Sequence, residues 1–259
     1  MNLSPIILKP RPTGKSCCKI AIFGDVHSNI EALDSVLTDM RKIGITRFFC
    51  TGDVVGYGAD PSACIQRLRR LNVLTVKGNH DQYSAGGILP PNINSSAKKT
   101  ILWTKRQLTT QESRWLLNLP TEQYESELGV THSTFEPNQK WPYIFDSERA
   151  EISLYHQKVP LAFFGHTHDP MAFIQTKNGH VLKQGFEFLR VEKVCRYFIN
   201  PGSVGQPRDG NPRAAYAIYD PTKQTITLRR IEYDVKSAAA KIIKAGLPSD
   251  NAKRLTSGK

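Results

Sequence analysis

One pattern recurs along this chain and constrains its fold more than any other feature. A short apolar run ends, and a glycine leads directly into an aspartate, asparagine or histidine. The pattern is most complete at residues 78–81, Gly-Asn-His-Asp, where the preceding run 73–76 predicts a short buried strand. The glycine allows a sharp turn of the backbone, so we expect Asn79 and His80 to project from the strand end. Related blocks lie at 24–27, 52–53, 132 and 165–168.

The first part of the chain alternates predicted strands with predicted helices. Asn29 is expected to cap the first helix, and Asp60-Pro61 to open the second. The strands are predicted at 19–23, 48–50 and 73–76, and the first helix at 30–41. This order favours a mainly parallel sheet covered by helices, in which ligands bind at the carboxyl ends of the strands. The first three motif loops lie at those ends.

The second part of the chain is richer in strands. Two helices are expected within 94–119, and further helices at 147–156 and 236–244. A hairpin over 123–131 is predicted to turn at Leu128-Gly129, and Asn178-Gly179 predicts a second hairpin turn. Further strands are predicted at 159–164, 171–175, 180–183, 196–199, 214–219 and 225–233. We therefore expect a second sheet packed on the first, within a single α/β domain over 17–259 that follows a loose extension at 1–16.

Composition restricts the classes of partner. Lysine and arginine exceed aspartate and glutamate by 12, which favours anionic ligands. The basic residues are scattered and form no helical stripe with aromatics, so nucleic acid is not the expected main partner.

No apolar run reaches membrane-spanning length, and the first residues lack the pattern of a signal peptide. We therefore expect a cytoplasmic protein, either monomer or homodimer, whose five cysteines are buried reduced thiols.

The motif blocks supply a coherent set of candidate metal ligands. The pairs Asp25/His27 and His166/His168 are expected to point two side chains the same way from extended backbone. Mixed carboxylate, imidazole and amide donors suit Mn, Fe, Zn or Ni. Seven ligands are too many for one catalytic metal, and they suit two metals that share a bridging carboxylate. The set comprises Asp25, His27, Asp53, Asn79, His132, His166 and His168.

A two-metal centre indicates phosphoryl chemistry. Two cations can hold the attacking and leaving oxygens of a displacement and supply hydroxide at neutral pH. His80 is adjacent to the candidate ligand Asn79 and is not needed as a ligand itself. It therefore suits the role of general acid for the leaving alkoxide.

The blocks GDVHSN, GDVVGYG, GNHD, His132 and GHTH, in that order, resemble the calcineurin-like metallophosphoesterases. The resemblance covers about residues 19–220 and implies a double β-sandwich flanked by helices, with four layers in the order α-β-β-α. It implies that one metal binds Asp25, His27 and His168, and the other Asn79, His132 and His166. Asp53 would bridge the two metals, and His80 would act as the acid while a metal-bridging hydroxide attacks phosphorus.

Departures from the family pattern bear on the substrate. Ser/Thr phosphatases of this superfamily read GDxxDRG in the second block, whereas Gly56 and Tyr57 occupy the Asp and Arg positions here. A phosphate-binding arginine matters most for a dianionic monoester, so its absence favours a phosphodiesterase. Asn29, Tyr57 and Arg208 are further candidates for substrate contact. Arg208 ends a turn-rich segment, 200–208, that is expected on the surface.

Three alternatives remain open at the level of sequence. The first is a phosphomonoesterase or nucleotide pyrophosphatase with the same metal centre. The second is a non-catalytic binding scaffold of the same fold. The third is a nucleic-acid-binding protein or a nuclease, which the positive charge suggests.

Overall fold

Two six-stranded sheets lie face to face in the computed structural model, which describes residues 19–137 and 141–259. Helices cover the outer face of each sheet, so the predicted four-layer α-β-β-α sandwich of two mixed sheets is confirmed. The extension expected at 1–16 lies outside the described residues, as do Cys17 and Cys18. None of the helices in the described ranges is long and apolar enough to cross a membrane.

The strands and helices are numbered in chain order. The strands β1 to β12 are Ile20–Phe23, Arg47–Cys50, Leu74–Thr75, Glu122–Glu125, Leu128–Thr131, Leu161–Phe163, Met171–Gln175, Val181–Gln184, Phe188–Arg190, Arg196–Asn200, Ala214–Asp220 and Thr225–Ile231. The helices α1 to α8 are Ile30–Lys42, Pro61–Arg70, Asn79–Ser84, Ser95–Gln107, Thr110–Leu117, Ser147–His156, Val235–Lys244 and Ser249–Ser257.

Both sheets mix parallel and antiparallel pairs. The first has the order β3-β2-β1-β11-β12-β9, in which β1, β2 and β3 run parallel and the remaining pairs are antiparallel. The second has the order β4-β5-β6-β10-β7-β8, in which β5, β6 and β10 run parallel. The parallel strands occupy one side of the first sheet, out to its edge at β3, and the centre of the second sheet. The motif loops follow the carboxyl ends of these strands.

Side chains alternate between two cores along β1. Ile20 and Ile22 face the opposing sheet and pack with residues of that sheet such as Phe163. Ala21 and Phe23 face outward and pack beneath α1 and α2. This period of two is the geometry that an extended strand imposes. A third core forms where α6 covers the outer face of the second sheet.

The first helix follows its sequence signals closely. The Asn29 side chain accepts a hydrogen bond from the Ala32 amide, which satisfies one of the free N–H groups of the first turn. The apolar positions 33, 36, 37 and 40 are buried against the first sheet. The chain leaves the helix at Gly44, whose φ is +78°, a conformation that glycine adopts without strain.

Several local expectations were wrong. Asn79 does not project from a strand end, because it opens the short helix α3. The hairpin between β4 and β5 turns at Ser126-Glu127 and not at Leu128-Gly129. Three elements were not predicted: the short helix α3, the short edge strand β9 and the last helix α8. Cys195 is only half-buried, whereas Cys50 and Cys64 are buried free thiols as expected.

The segment 200–208 is also placed differently from the expectation. It was expected on the surface, yet residues 200–207 are buried and only Arg208 is partly exposed. Its polar groups find partners inside: the Ser203 hydroxyl donates to the Asp25 carbonyl at 2.8 Å, and Asn200 Nδ2 donates to the Gly165 carbonyl at 2.7 Å. A turn-rich composition predicts turns correctly but says nothing of burial when other loops supply the hydrogen bonds.

Candidate metal centre

All seven predicted ligands meet at one end of the sandwich. Each of six follows the carboxyl end of a strand, and Asn79 is the first residue of α3. The six are Asp25 and His27 after β1, Asp53 after β2, His132 after β5, and His166 and His168 after β6. Residues of both sheets therefore contribute to one buried site.

The first group of donor atoms comprises Asp25, His27 and His168. The two imidazoles approach with their Nε2 atoms 3.0 Å apart. Asp25 Oδ1 lies 3.2 Å from His168 Nε2 and 3.8 Å from His27 Nε2. Three donors thus surround one small volume, and all three side chains are buried.

The second group comprises Asp53, His132 and His166, with Asn79 beside them. His132 Nε2 lies 3.2 Å from His166 Nδ1, 3.0 Å from Asn79 Oδ1 and 3.4 Å from Asp53 Oδ2. Carboxylate, imidazole and amide oxygen donors therefore converge here as well.

Asp53 lies between the two groups. Its Oδ2 atom is 3.4 Å from His132 Nε2 in the second group and 3.6 Å from His27 Nε2 in the first. Its other oxygen, Oδ1, accepts a hydrogen bond from the His80 amide at 2.8 Å, which fixes the carboxylate plane. One oxygen therefore faces both groups, as a bridging ligand requires.

Backbone carbonyls fix the protonation of all four imidazoles. In each ring one nitrogen lies at hydrogen-bond distance from a carbonyl oxygen, which can only accept, so that nitrogen carries the proton. The pairs are His27 Nδ1 with Val55, His132 Nδ1 with Thr51, His168 Nδ1 with Gln206 and His166 Nε2 with Trp141, at 2.7 to 3.1 Å. In His27, His166 and His168 the opposite nitrogen then presents a lone pair to the interior of the site, and the opposite nitrogen of His132 does so when that ring is neutral.

The orientation of these donor atoms fits a pair of bound metal ions. Lone pairs of His27 and His168 face each other at 3.0 Å, with carboxylate oxygens beside them. Such an arrangement is repulsive by itself and favourable around a cation. The donors are oxygen and nitrogen without thiolate, which suits Mn, Fe, Ni or Zn. Two buried groups with a shared carboxylate therefore fit the dinuclear centre of the family.

Burial and neighbouring charges set the pKa values in the site. Burial lowers the pKa of His27, His166 and His168, which keeps these rings neutral and able to bind a cation. His132 differs, because burial is outweighed by the Asp53 carboxylate, which raises the pKa of His132 to about 9. Burial likewise opposes ionisation of Asp53, but His132 and His80 hold the pKa of that carboxyl well below its usual range.

The ligand loops adopt left-handed backbone conformations, not the extended backbone that was expected. The φ angles are +49° at Asp25, +47° at His27, +51° at Asp53, +70° at His166 and +60° at His168. Such values in non-glycine residues store strain of order 1 kcal/mol each, and they cluster at functional sites. Loop-to-loop hydrogen bonds hold them, among them Asp25 N–H to Gly52 at 2.9 Å and His27 N–H to Asp53 at 3.0 Å.

His80 is buried next to the ligands. Its ring meets the His27 ring edge-on at 5.0 Å and lies 4.4 Å from the Tyr57 ring. Its Nδ1 atom has no hydrogen-bond partner among the described residues. Burial lowers the pKa of His80 to about 4, so the ring is neutral near pH 7 and retains one N–H. Gly56 leaves room for this ring, because a Cβ at that position would lie 2.4 Å from Nδ1.

Asp81 supports the site from behind. Its carboxylate accepts hydrogen bonds from the amides of Val54 and Val55 at 2.9 and 3.1 Å, and from Gly78 at 3.0 Å. These contacts tie the loop that carries Asp53 to the start of α3. Burial and the nearby Asp53 charge raise the pKa of Asp81 to about 7. Asp81 therefore caps local backbone N–H groups.

The three candidate substrate contacts lie on the side of the first group. The Tyr57 ring is 4.7 Å from the His27 ring, and the Arg208 guanidinium carbon is 5.7 Å from the Tyr57 centroid. Arg208 Nη2 donates to Gln206 Oε1 at 3.0 Å, while its Nε atom is buried and has no partner in the described part of the chain. Asn29 is 3% exposed, and its amide already bonds Ala32 N–H and the Gly205 carbonyl.

Sequence reasoning missed the loop at 141–145. The Trp141 carbonyl accepts the hydrogen bond that orients His166, and the Tyr143 ring stacks on the His166 ring at 4.1 Å with planes 14° apart. The loop has no helical or strand periodicity and no motif. Its aromatic content is the one signal that could have drawn attention to it.

Two known proteins are similar to this chain over most of its length. The chain is 39% identical over 245 residues to an uncharacterized protein of Methanocaldococcus jannaschii, covering 93% of this chain and 98% of the relative. The crystal structure of a metallophosphoesterase from Sphaerobacter thermophilus is similar with a TM-score of 0.82 and 36% identity, covering 93% of this chain and 99% of that one.

A more distant structure shares the fold. A hypothetical protein from Pyrococcus horikoshii OT3 has a TM-score of 0.75 at 18% identity, covering 93% of this chain and 99% of that one.

A family model described as the calcineurin-like phosphoesterase superfamily domain matches residues 18–224. The matched span contains both groups of candidate ligands and His80, and the chain belongs to the calcineurin-like phosphoesterase superfamily.

Proposed function

We propose that this protein is a dinuclear-metal-dependent phosphodiesterase. The observation that carries the proposal is the convergence of seven oxygen and nitrogen donors on two adjacent groups, with Asp53 facing both and His80 beside them. Membership of a phosphoesterase family gives the reaction class, hydrolysis of phosphoric esters. The substrate is accordingly an anionic phosphate ester, which the net positive charge of the chain favours.

Each residue has a definite proposed role. Asp25, His27 and His168 would hold one divalent ion, Asn79, His132 and His166 would hold the other, and the Asp53 carboxylate, which faces both groups, would be shared between them. When bound, such a pair activates water for attack and offsets the charge of the phosphoryl group. Mn, Fe, Ni and Zn all suit this donor set, and we propose Mn as the first to test.

His80 is proposed as the general acid. It is held by the hydrogen bond from its amide to Asp53 Oδ1 and by packing against Tyr57. Burial lowers the pKa of His80 to about 4, so the ring must take up a proton when the anionic ester binds beside it, because a nearby negative charge favours the imidazolium. The imidazolium would then give this proton to the leaving alkoxide as the ester bond breaks, and the ring would return to its neutral form.

The preference for diesters rests on position 57, where Tyr replaces the arginine that binds phosphate in related phosphatases. The structure also supplies an observation in favour of a second candidate function, a phosphomonoesterase. Arg208 packs over the face of Tyr57, so its guanidinium lies near the position of the missing arginine. A monoester could therefore find a cationic partner from a different part of the chain.

Initial rates on paired substrates would separate these candidates. The protein is stripped of metal and reconstituted with Mn, Ni, Zn or Mg, and hydrolysis of bis(4-nitrophenyl) phosphate is compared with that of 4-nitrophenyl phosphate. We expect metal-dependent turnover with kcat/KM for the diester at least about tenfold above that for the monoester. The Arg208→Ala variant should lose more of the monoester rate than of the diester rate.

Two outcomes would contradict the proposal. Preference for the monoester, abolished by Arg208→Ala, would establish the phosphomonoesterase instead. Stoichiometric metal binding without turnover of either ester would favour a binding scaffold of the same fold.

We also propose that the protein acts in the cytoplasm. Cys50 and Cys64 are buried free thiols, which agrees with a reducing compartment.

A further inference from the structure

Two aromatic side chains are exposed at the rim of the metal centre. Tyr143 is 48% exposed and Phe145 is 52% exposed, which is unusual for rings of this size. They stand two residues apart in the loop before α6, and their rings stack on each other, so both project to the same side. Between them Ile144 points the other way and is buried in the core under α6. The loop is therefore anchored from below while it presents two rings to solvent.

The two rings continue a stack that begins at a candidate metal ligand. The Tyr143 ring lies 4.1 Å from the His166 ring with planes 14° apart, and the Phe145 ring lies 5.4 Å from the Tyr143 ring with planes 7° apart. Three nearly parallel rings thus lead from the second group to the surface. We call Tyr143 and Phe145 the aromatic platform.

Hydrogen bonds fix the platform relative to the site. His166 Nε2 donates to the Trp141 carbonyl at 3.1 Å, and the Ser133 hydroxyl donates to the Pro142 carbonyl. Trp141 is 9% exposed and meets the His132 ring edge-on at 5.5 Å. Movement of the loop would disturb ligands of the second group, so the platform is held in place before any substrate binds.

Exposed aromatic residues elsewhere lack this arrangement. Tyr155 is 81% exposed on α6 and meets the His156 ring edge-on. Phe188 is 59% exposed on the edge strand β9. Among the exposed aromatic residues of 19–137 and 141–259, parallel stacking that extends the ring of a candidate ligand is thus particular to Tyr143 and Phe145.

We propose that the aromatic platform binds a nucleobase of the substrate, so that the ester hydrolysed at the metal centre is a nucleotide. This inference rests on the proposed function and adds the substrate class to it. A planar base offers a face that can stack on an exposed ring, and base–aromatic stacking tolerates any base. The phosphate of the same molecule would lie between the two metal groups, with Arg208 and Tyr57 on the opposite side.

Binding measurements with and without a base would test the platform. Adenosine 5′-monophosphate and ribose 5-phosphate are titrated into the metal-loaded protein by calorimetry, and the ratio of their Kd values is the readout. We expect the nucleotide to bind about fivefold or more tightly than the sugar phosphate. In the double variant Tyr143→Leu/Phe145→Leu that ratio should fall to about one, because leucine keeps apolar volume but removes the ring.

Two further variants serve as matched controls. Tyr143→Phe/Phe145→Tyr keeps both rings and should keep the ratio, and Tyr155→Leu removes an exposed ring that is not part of the stack and should also keep it. Thermal unfolding checks that each variant is folded. Because the readout is a ratio, a general weakening of phosphate binding in a variant cancels.

The outcomes also distinguish a failure of the aromatic platform from a failure of the proposed phosphodiesterase activity. A ratio near one in the wild type, or an unchanged ratio in the leucine double variant, would overturn the platform even if the enzyme hydrolyses simple esters. Conversely, a base-dependent ratio that the double variant abolishes would support the platform even if no ester is hydrolysed, and the proposed function alone would then fail.

Discussion

At the scale of single residues, His80 lacks the carboxylate partner that the second sequence block provides in the Ser/Thr phosphatases of this superfamily. Those enzymes place an aspartate at the position of Gly56, where it would orient the histidine. Here Nδ1 of His80 is buried without a partner in the described ranges, and burial lowers the pKa of the ring to about 4. A carboxylate partner would have the opposite effect on that pKa. The ring is therefore positioned by packing and by its own backbone amide.

The His80→Ala variant tests the residue directly. We expect kcat for the diester to fall by about 10²- to 10⁴-fold, because a positioned proton donor contributes roughly that factor. Metal content, measured by plasma mass spectrometry, should stay at the wild-type value, since His80 belongs to neither donor group. His180→Ala, at an exposed position, is the control. Wild-type turnover by the His80 variant would remove this residue from catalysis.

At the scale of elements, a polar cluster ties the outer helix layer to the first sheet. Asp39 on α1 accepts hydrogen bonds from Arg229 on β12 at 2.8 Å and from Tyr216 on β11 at 2.7 Å. Partial burial opposes the effect, but these hydrogen bonds from Arg229 and Tyr216 hold the pKa of Asp39 below its ordinary value. The carboxylate thus stabilises the fold in its ionised form.

This lowered pKa gives a pH-dependent prediction. The contribution of Asp39 is fully present above its unfolded pKa of about 3.9 and is lost as pH falls through the lower folded value. Asp39→Asn should reduce the free energy of unfolding by about 1 to 2 kcal/mol at pH 6, a modest figure because Arg229 is partly exposed to solvent. Urea denaturation should show this deficit shrinking at pH 3.

The exposed Asp250 provides the matched control for that series. It pairs with Lys253 at 3.1 Å, but both side chains are more than 70% exposed. Asp250→Asn should therefore change the free energy of unfolding by less than about 0.5 kcal/mol at either pH. A deficit for Asp39→Asn that is equal at pH 6 and pH 3 would show that Asp39 acts through packing and not through its charge.

At the scale of the whole molecule, the candidate metal centre lies where the two sheets meet. Asp25 and Asp53 follow strands of the first sheet, whereas His132, His166 and His168 follow strands of the second. A cation bound by both sets therefore links the two halves of the sandwich. Because the unfolded chain does not hold these donors together, metal binding should add to the stability of the entire fold.

Metal removal tests this link. A ligand at a thousand times its Kd stabilises a protein by about 4 kcal/mol, which corresponds to roughly 10 °C in Tm for a chain of this size. We expect chelation to lower Tm by about that amount and Mn to restore it, as followed by scanning calorimetry. Asp53→Asn, which removes the shared charge, should respond less. An unchanged Tm, with metal loss verified, would contradict the link between the sheets.

The sequence alone determined the class of fold and the candidate ligands. Strand and helix periods are local properties, and they predicted most elements correctly, including α1 with its Asn29 cap. Six of the seven candidate ligands were identifiable because they follow the end of an apolar strand, and parallel strands bring such positions to one edge. Local signals failed where several turns were possible, as at Ser126-Glu127, or where the sequence pattern was weak, as at α8.

Only the tertiary structure decided how the site is built. Left-handed φ angles at five ligand residues persist because hydrogen bonds from other loops hold them, and a single segment cannot reveal such bonds. The burial of 200–207 and the tautomers of the four imidazoles depend likewise on carbonyls distant in sequence. The aromatic platform has the same origin, since stacking of Tyr143 on His166 joins residues that only folding brings together.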